Sequence, residues 1–192
     1  MQEPTQIHIN SAKHILQYLR QTTESKIRYQ GASLSGLIGY SDADWGENRD
    51  NRRSTTGFVF LMADGAVTWT SRMQKTVARS STEAEYMALS EACSEIAWLT
   101  ALQKEIGFGP SAPTPLVSDN QGGIFLAINP AHDRRLKHVD IRYHFIREYV
   151  ESERVNIVYI STDDMIADIL TKPLGRTKFE YFRNLLGIGL TA

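Results

Sequence analysis

The feature that most constrains the fold is a hairpin signal in the first half of the chain. Residues 57–62 (GFVFLM) and 66–71 (AVTWTS) are rich in β-branched and aromatic residues, and Asp64-Gly65 lies between them. An Asp-Gly turn between two such runs favours an antiparallel hairpin. The preceding run, 37–45 (LIGYSDADW), alternates with a period of two, which places Asp42 and Asp44 on one face. The sequence therefore predicts three consecutive antiparallel strands.

A long helix is predicted after these strands. Ser81 or Thr82 is expected to cap its N-terminus, and it continues to about Leu102, before Gly107. Helical periodicity gives it one apolar face, with other positions towards solvent. The predicted apolar face contains Glu85, Ala88, Leu89, Ala92, Ile96 and Leu99, and the predicted solvent-facing acids are Glu83, Glu91 and Glu95.

Glu85 is the most informative single residue, because a carboxylate on an apolar helix face must find a partner or a cation. An ion pair with an arginine would satisfy it equally well. The position of Glu85 thus predicts either a buried ion pair or a cation site.

The second half of the chain alternates strands and helices. Residues 115–119 (PLVSD) predict a buried strand ending in Asp119, followed at once by a helix over 120–128, and a further helix and strand are expected over 139–153 and 156–161. A short helix beginning near Thr162 and carrying Asp168 is predicted before Pro173, and a final amphipathic helix over 176–190. With a helix and linker over 1–33, this order predicts one mixed α/β core.

Composition excludes several classes of protein. The 192 residues carry a net charge of -1, so a uniformly basic nucleic-acid coat is excluded and any such surface must be local. The single cysteine, Cys93, allows no internal disulfide or multi-thiolate metal site and is predicted to be a core residue. No apolar run approaches the roughly 20 residues of a membrane span, and the N-terminus has no signal-peptide pattern, so an intracellular protein is expected.

Four acids from four predicted elements could converge: Asp42, Glu85, Asp119 and Asp168. Carboxylates without His or Cys ligands suit Mg²⁺, which prefers oxygen donors. Two such ions about 3.5–4 Å apart can activate water for phosphodiester hydrolysis. Structural alternatives stay open for three of the acids: Asp42 as a strand-edge solubiliser, Asp119 as a helix cap, and Asp168 as an exposed helical acid.

Five segments resemble the ribonuclease H domain of the Pol polyprotein of copia-type LTR retrotransposons. They are GYSDADWGENRDNRRSTTGFVF, TVARSSTEAEYMAL, VSDNQGGIFLAINP, KHVDIRYHFIREYV and ADILTKPL. The resemblance implies a five-stranded mixed sheet, three antiparallel strands and then two parallel ones, with helices on both faces. It also implies an endoribonuclease that cuts the RNA strand of RNA/DNA hybrids with two Mg²⁺ ions, or Mn²⁺ in their place. The implied catalytic and metal-binding residues are Asp42, Glu85, Asp119 and Asp168, with Asp44 as the weaker rival to Asp42.

The resemblance also implies domain limits and partners. Residues 1–33 resemble the reverse-transcriptase connection, 34–174 the ribonuclease H domain, and 175–192 a C-terminal helical tail. The implied partners are an RNA/DNA hybrid and a reverse transcriptase of the same polyprotein. A cytoplasmic virus-like particle is the expected location, with a nuclear one left open.

Substrate contacts are implied for the residues just before the catalytic glutamate, and hydroxyl groups suit phosphate oxygens. A plain helix cap is the alternative for Ser81 and Thr82. Three clusters of basic residues could contact phosphates along a nucleic-acid backbone. The predicted contacts are Ser80, Ser81, Thr82, Asn120, Arg52 and Arg53, and the further basic residues are Arg72, Lys75, Arg79, Arg134, Arg135 and Lys137.

Two departures from cellular ribonucleases H are visible. The segment 161–165 (STDDM) lacks the histidine that many of those enzymes carry there, and the short segment PAHDRRLK leaves no room for a helical basic handle. His138 and His144 are predicted to be packing or capping residues, because hard cations disfavour imidazole. Two other functions stay open: a catalytically silent hybrid-binding module attached to a reverse transcriptase, and a different nuclease with the same acidic architecture, such as an integrase or junction resolvase.

Overall fold

The computed structural model describes residues 3–31, 36–48, 50–129 and 140–190. Within these ranges, no helix is both long and apolar enough to cross a membrane. The elements, in chain order, are α1 (Gln6–Gln21), β1 (Ser25–Ile27), β2 (Ile38–Ala43), β3 (Thr55–Met62), β4 (Gly65–Met73), α2 (Ser81–Glu105), β5 (Thr114–Ser118), α3 (Gln121–Ile128), α4 (Asp140–Glu151), β6 (Val155–Tyr159), a 3-10 turn (Thr162–Asp164), α5 (Asp168–Thr171), α6 (Arg176–Leu185) and β7 (Ile188–Leu190).

Five strands form the main sheet in the order β4-β3-β2-β5-β6. The pairs β4–β3 and β3–β2 are antiparallel, whereas β2–β5 and β5–β6 are parallel. This arrangement confirms the predicted α/β class and the three antiparallel strands followed by two parallel ones. Because β2, β5 and β6 run in the same direction, their carboxyl ends lie at one edge of the sheet.

The hairpin turn is Ala63-Asp64, one residue earlier than the Asp-Gly signal suggests. Both residues have positive φ, 51° and 60°, as a two-residue type I′ turn requires. Gly65 is the first residue of β4, and a Cβ there would lie 2.6 Å from the carbonyl oxygen of Arg28. The glycine is therefore needed for the close approach of a neighbouring segment.

Apolar side chains cover both faces of the sheet. One core lies between the sheet and the helices α2, α3 and α4 and includes Phe60, Leu89 and the fully buried Cys93. The other core packs Val59 of β3 against Phe182 of α6. All six residues predicted for the apolar face of α2, Glu85 among them, are buried, as is Cys93.

The N-terminus of α2 differs from the prediction. Its N-cap is Ser80, whose side chain accepts a hydrogen bond from the backbone N–H of Glu83, so neither Ser81 nor Thr82 is the cap. Glu83 is only 7% exposed, because its carboxylate turns back to accept the backbone N–H of Arg79 at 2.9 Å. The prediction that Glu83 faces solvent was therefore wrong, and the cause is a local capping interaction.

Two predicted helices are shorter in the structure. The helix expected from Thr162 is divided into a 3-10 turn and the four-residue α5, which begins at Asp168. The final helix ends at Leu185, where Gly187 has a φ of 75° and the chain turns into β7. β7 pairs with β1 in an antiparallel two-stranded sheet, so the two terminal segments meet, and the domain limits stay a prediction.

Gly57 of β3 controls how closely α5 approaches the sheet. A Cβ at this position would lie 2.5 Å from Cγ2 of Thr171 and 2.9 Å from Cβ of Leu170. We expect Gly57→Ala to lower the free energy of unfolding by about 1–3 kcal/mol, because α5 must move outwards. Urea denaturation measures this change. Gly36→Ala is the matched control, since Gly36 is exposed, has no positive φ and has open space around it, and an equal loss in both variants contradicts the packing argument.

Candidate metal centre

The parallel pairing of β2 with β5 brings two acids together. Tyr40 pairs with Val117, and continuing this register by two residues places Asp42 beside Asp119. Asp42 is fully buried at the end of β2, and Asp119 follows β5 directly and is half-buried. The strand-edge alternative for Asp42 is therefore wrong. The cap of α3 is Asn120, which accepts the backbone N–H of Gly123 at 2.8 Å, so the capping alternative for Asp119 is wrong too.

The third acid comes from the buried face of α2. Glu85 is 6% exposed, and Gly123 of α3 lies beside its side chain, where a Cβ on the glycine would be 3.8 Å from Cβ of Glu85, an ordinary contact. Ligand oxygens of Glu85, Asp42 and Asp119 all lie within 4.8 Å of one another. Three carboxylates therefore converge at the edge of the sheet.

Glu85 has an oxygen atom with no partner. Its Oε2 is buried and makes no hydrogen bond within the described residues, so the arginine ion pair that the sequence left open is not found there. Burial, followed by the negative charges of Asp42 and Asp119, raises the pKa of Glu85 to about 10. A cation placed among these oxygens would remove both the desolvation cost and the repulsion.

Asp168 lies next to Asp42 but is joined to it by a lysine. Asp168 is 1% exposed, which rules out the alternative of an exposed helical acid. Lys172 Nζ donates to Asp168 Oδ1 at 2.7 Å and to Asp42 Oδ1 at 3.1 Å, and Lys178 Nζ donates to Asp168 Oδ2 at 3.0 Å. Burial lowers the pKa of Lys172, but the contacts with Asp168 and Asp42 outweigh it, so the pKa is raised and the ammonium stays charged.

Two threonines complete the contacts of the acids. Thr171 Oγ1 donates to Asp42 Oδ2, and Thr162 Oγ1 donates to Asp119 Oδ2 at 2.6 Å. Sequence reasoning missed Thr162, Thr171, Lys172 and Lys178 as neighbours of the acids. For Thr171 and Lys172 a signal existed, because they lie three and four residues after Asp168, on the same side of a helix.

Asp44, the rival of Asp42, is held by the backbone. It is 5% exposed, and its Oδ1 accepts the backbone N–H of Thr55 at 2.8 Å. It is not one of the three acids whose ligand atoms converge. His144 is exposed on α4 and is likewise not part of that group, while His138 lies outside the described residues.

The predicted substrate contacts lie in two places. The first is at the neighbouring starts of α2 and α3, the helices that begin just before Glu85 and just after Asp119. Here Thr82 Oγ1 is close to Gly122, beside Asn120, and Ser80 and Ser81 are exposed. The second is the loop between β2 and β3, where Arg52 and Arg53 are exposed. Of the further basic residues, Lys75 and Arg79 are exposed, Arg72 forms an ion pair with Glu91 at 2.9 Å, and Arg134, Arg135 and Lys137 lie outside the described residues.

The donor set fits a hard divalent cation. All converging ligand atoms are carboxylate oxygens, the donors that Mg²⁺ and Mn²⁺ prefer, and one of them is a buried oxygen without a hydrogen bond. Asp42 lies between the two halves of the cluster: Glu85 and Asp119 are on one side, and Asp168 with its lysines is on the other. The residues present could therefore hold a metal at Asp42, Glu85 and Asp119.

The sheet order and flanking helices define a ribonuclease H-like α/β protein, and comparison with solved structures agrees. The structure of LC11-RNase H1 in complex with RNA/DNA hybrid has a TM-score of 0.51, with 17% sequence identity over 71% of this chain and 94% of that one. The foamy viral protease-reverse transcriptase in complex with RNA/DNA hybrid has a TM-score of 0.52, with 14% identity over 81% of this chain and 22% of that one. At these identities the likeness shows the fold alone.

The sequence relatives give the family. The chain is 40% identical to the retrovirus-related Pol polyprotein from transposon RE1 of Arabidopsis thaliana, over 98% of this chain and 13% of that protein. It is 41% identical to that from transposon TNT 1-94 of Nicotiana tabacum, over 98% of this chain and 14% of that protein. No protein-family model matches. The chain belongs to the ribonuclease H domains of copia-type Pol polyproteins, and spans about one-eighth of the length of these relatives.

Proposed function

We propose that this chain is a metal-dependent endoribonuclease that hydrolyses the RNA strand of RNA/DNA hybrids. The observation that carries the proposal is the buried, unpartnered Oε2 of Glu85 within a group of three converging carboxylates. Burying these carboxylates without a cation costs free energy, and their oxygens are suitable ligands for a divalent ion. Both similar solved structures were determined with an RNA/DNA hybrid, which supports this substrate.

The proposed catalytic residues are Asp42, Glu85, Asp119 and Asp168. These residues would hold the divalent ions, two in our proposal, and the ions would supply a nucleophilic water and stabilise the leaving oxygen of a phosphodiester. The residues themselves act by position. Asp42 contributes its carboxylate to both halves of the site. Glu85 would release its proton when a divalent ion binds. Thr162 holds the Asp119 carboxylate in place through a 2.6 Å hydrogen bond.

Substrate binding is proposed for the surface around the start of α2 and α3. The exposed Ser81 and the neighbouring Thr82 can donate to phosphate oxygens, because the cap of α2 is Ser80 and leaves their hydroxyl groups available. Asn120 lies beside them at the start of α3. Arg52 and Arg53 would add phosphate contacts from the β2–β3 loop.

The Pol relatives support a role in reverse transcription. We propose that the domain works beside a reverse transcriptase of the same polyprotein and acts in a cytoplasmic virus-like particle. The match to 22% of a protease-reverse transcriptase chain agrees with such a linkage. The products expected of such an enzyme carry 5′-phosphate and 3′-hydroxyl ends.

A silent hybrid-binding module is the second candidate. The observation that favours it is Lys172, which already bridges Asp42 and Asp168. If this lysine never leaves, a cation cannot bind that pair and cleavage is lost.

A substrate panel tests the proposed class of nuclease. Hybrid, duplex DNA, duplex RNA and a four-way DNA junction are incubated with the full chain and Mg²⁺ or Mn²⁺. We expect cleavage of the RNA strand of the hybrid and no cut in the DNA substrates. Cleavage of the junction with an intact hybrid would assign the chain to the resolvase-like alternative, and binding of hybrid without any cleavage would assign it to the silent module.

A further inference from the structure

Lys172 lies where a cation shared by Asp42 and Asp168 would bind. Its Nζ is 3.1 Å from Asp42 Oδ1 and 2.7 Å from Asp168 Oδ1, so one ammonium neutralises two carboxylates at once. The two carboxylate side chains are 0% and 2% exposed, whereas the lysine side chain is 30% exposed. Lys172 can therefore reach solvent, and the acids it contacts cannot.

The two halves of the acidic site are unlike in charge. Ion pairs among the described residues reach Asp42 and Asp168, the latter also through Lys178 at 3.0 Å. Within the same ranges, no ion pair reaches Glu85 or Asp119, and Glu85 Oε2 has no hydrogen bond. One half of the site is thus neutralised by the protein itself, and the other half depends on a bound cation or on protons.

We propose that Lys172 is an internal counter-cation of this site, which holds Asp42 and Asp168 together in the metal-free protein and competes with a divalent ion for that pair. The inference deepens the proposed function and rests on its metal site. Lys172 is a positioning residue that leaves the acids when the second ion binds. Divalent ions should then bind in two unequal steps, first at Glu85 and Asp119 with Asp42, and more weakly at Asp168.

The reason for such a device lies in the burial of the acids. Two buried carboxylates that approach a common point repel each other, and without a cation the loop carrying α5 would be driven away from β2. A charged side chain four residues after Asp168 prevents this and keeps the site assembled until ions arrive. The lysine also competes with the incoming divalent ion, because a ligand binds more weakly when its site is free for only a fraction of the time.

Manganese titration of the full chain and of three variants tests the proposal. Lys172→Met removes the charge at similar length, Lys172→Arg keeps it, and Lys104→Met removes a charge from the exposed last turn of α2, away from the acids. Isothermal titration calorimetry measures the Mn²⁺ affinities, and thermal unfolding measures the stability of the metal-free protein.

We expect Lys172→Met to bind the weaker ion about tenfold more tightly, which equals 1.4 kcal/mol, and to melt at a lower temperature without metal. Lys172→Arg and Lys104→Met should keep the wild-type affinity. An unchanged or weaker Mn²⁺ affinity in Lys172→Met overturns the proposal. A residue that only supports the fold would lower stability without tightening the ion.

A measurement on the wild-type chain covers the case in which Lys172→Met fails to fold. Lysine acetylation is followed by mass spectrometry with and without Mn²⁺, and Lys104 is the internal reference. We expect Mn²⁺ to increase the modification rate of Lys172 several-fold relative to Lys104, because the ammonium is displaced. An unchanged relative rate contradicts the proposal.

The two proposals fail in different ways. If the wild-type chain binds Mn²⁺ as described but cuts no hybrid, the nuclease function fails and the role of Lys172 stands. If the chain cuts hybrid and Lys172→Met leaves the ion affinity unchanged, only the role of Lys172 fails. If neither the wild-type chain nor Lys172→Met binds Mn²⁺, the metal site itself is wrong, and both proposals fall.

Discussion

Replacement of Asp42 by asparagine should lower the rate of hybrid cleavage about a thousandfold, equivalent to roughly 4 kcal/mol of transition-state stabilisation. Asp42 is the acid common to both halves of the site, so its loss weakens every bound cation. The asparagine oxygen can still accept from Lys172 and its amide N–H can donate to the Thr171 hydroxyl, so the fold should remain intact.

Asp44→Asn is the matched control for Asp42→Asn. Asp44 lies two residues from Asp42 in the same segment, and the amide oxygen of the asparagine can still accept the backbone N–H of Thr55. We expect cleavage within about threefold of the wild-type rate, since Asp44 is not among the converging ligands. Single-turnover rates on a labelled hybrid give the comparison, with circular dichroism as the check on folding. Equal losses in both variants would remove the distinction between the two aspartates.

Glu85→Gln should have two opposite effects, loss of cleavage and gain of stability. The glutamine cannot supply a carboxylate to a cation, so cleavage should fall about a thousandfold as well. In the metal-free protein the same substitution removes a buried acid whose ionisation is strongly disfavoured. We expect the free energy of unfolding at pH 7 to rise by about 3 kcal/mol.

The pH dependence follows from the direction of the Glu85 shift. Its pKa is raised from 4.5 to about 10 in the folded protein, so the folded state binds more protons than the unfolded state between these values. The contribution of Glu85 to the stability of the metal-free wild-type protein should therefore be greatest below pH 4.5 and should fall as the pH rises towards 10. In Glu85→Gln this contribution is absent, and the slope should flatten.

Urea denaturation in EDTA between pH 5 and pH 9 measures both effects. The wild-type midpoint should decrease across this range, and the Glu85→Gln midpoint should vary less and lie higher at pH 8. Added Mn²⁺ should stabilise the wild-type protein more at high pH, because binding must release the Glu85 proton. If the wild-type midpoint falls with pH no more steeply than the Glu85→Gln midpoint, the assignment of a buried, protonated Glu85 is contradicted.

Local patterns explain how much could be predicted of the fold. The strands around Asp42 and the turn at Ala63-Asp64 follow from period-two alternation and turn chemistry, which act over a few residues. The face of α2 that carries Glu85 follows from helical periodicity over about four turns, and its burial is confirmed. The wrong prediction for Glu83 also has a local cause. The helix is capped by Ser80, one residue before the predicted Ser81, and the Glu83 carboxylate accepts the backbone N–H of Arg79 instead of facing solvent.

The site could be predicted less completely, since its contacts are distant in sequence. The bond between Lys172 and Asp42 spans 130 residues, and that between Thr162 and Asp119 spans 43. No periodicity joins such residues, and they meet only because β2, β5 and β6 end at one edge of the sheet. Asp42 and Asp168 were identified from family motifs. Lys172 stands four residues after Asp168 in the same motif, and this helical spacing predicts a contact with Asp168 but not the contact with Asp42.

Hydrolysis of a hybrid by the wild-type chain during a metal titration tests the central claim most directly. The RNA and DNA strands carry different labels, and the full chain is incubated from zero to millimolar Mg²⁺ and Mn²⁺. The RNA strand should be cut only when metal is present, with 5′-phosphate and 3′-hydroxyl ends, while the DNA strand stays whole. An RNA strand that remains intact at every metal concentration, on hybrid that the protein demonstrably binds, would contradict the nuclease assignment.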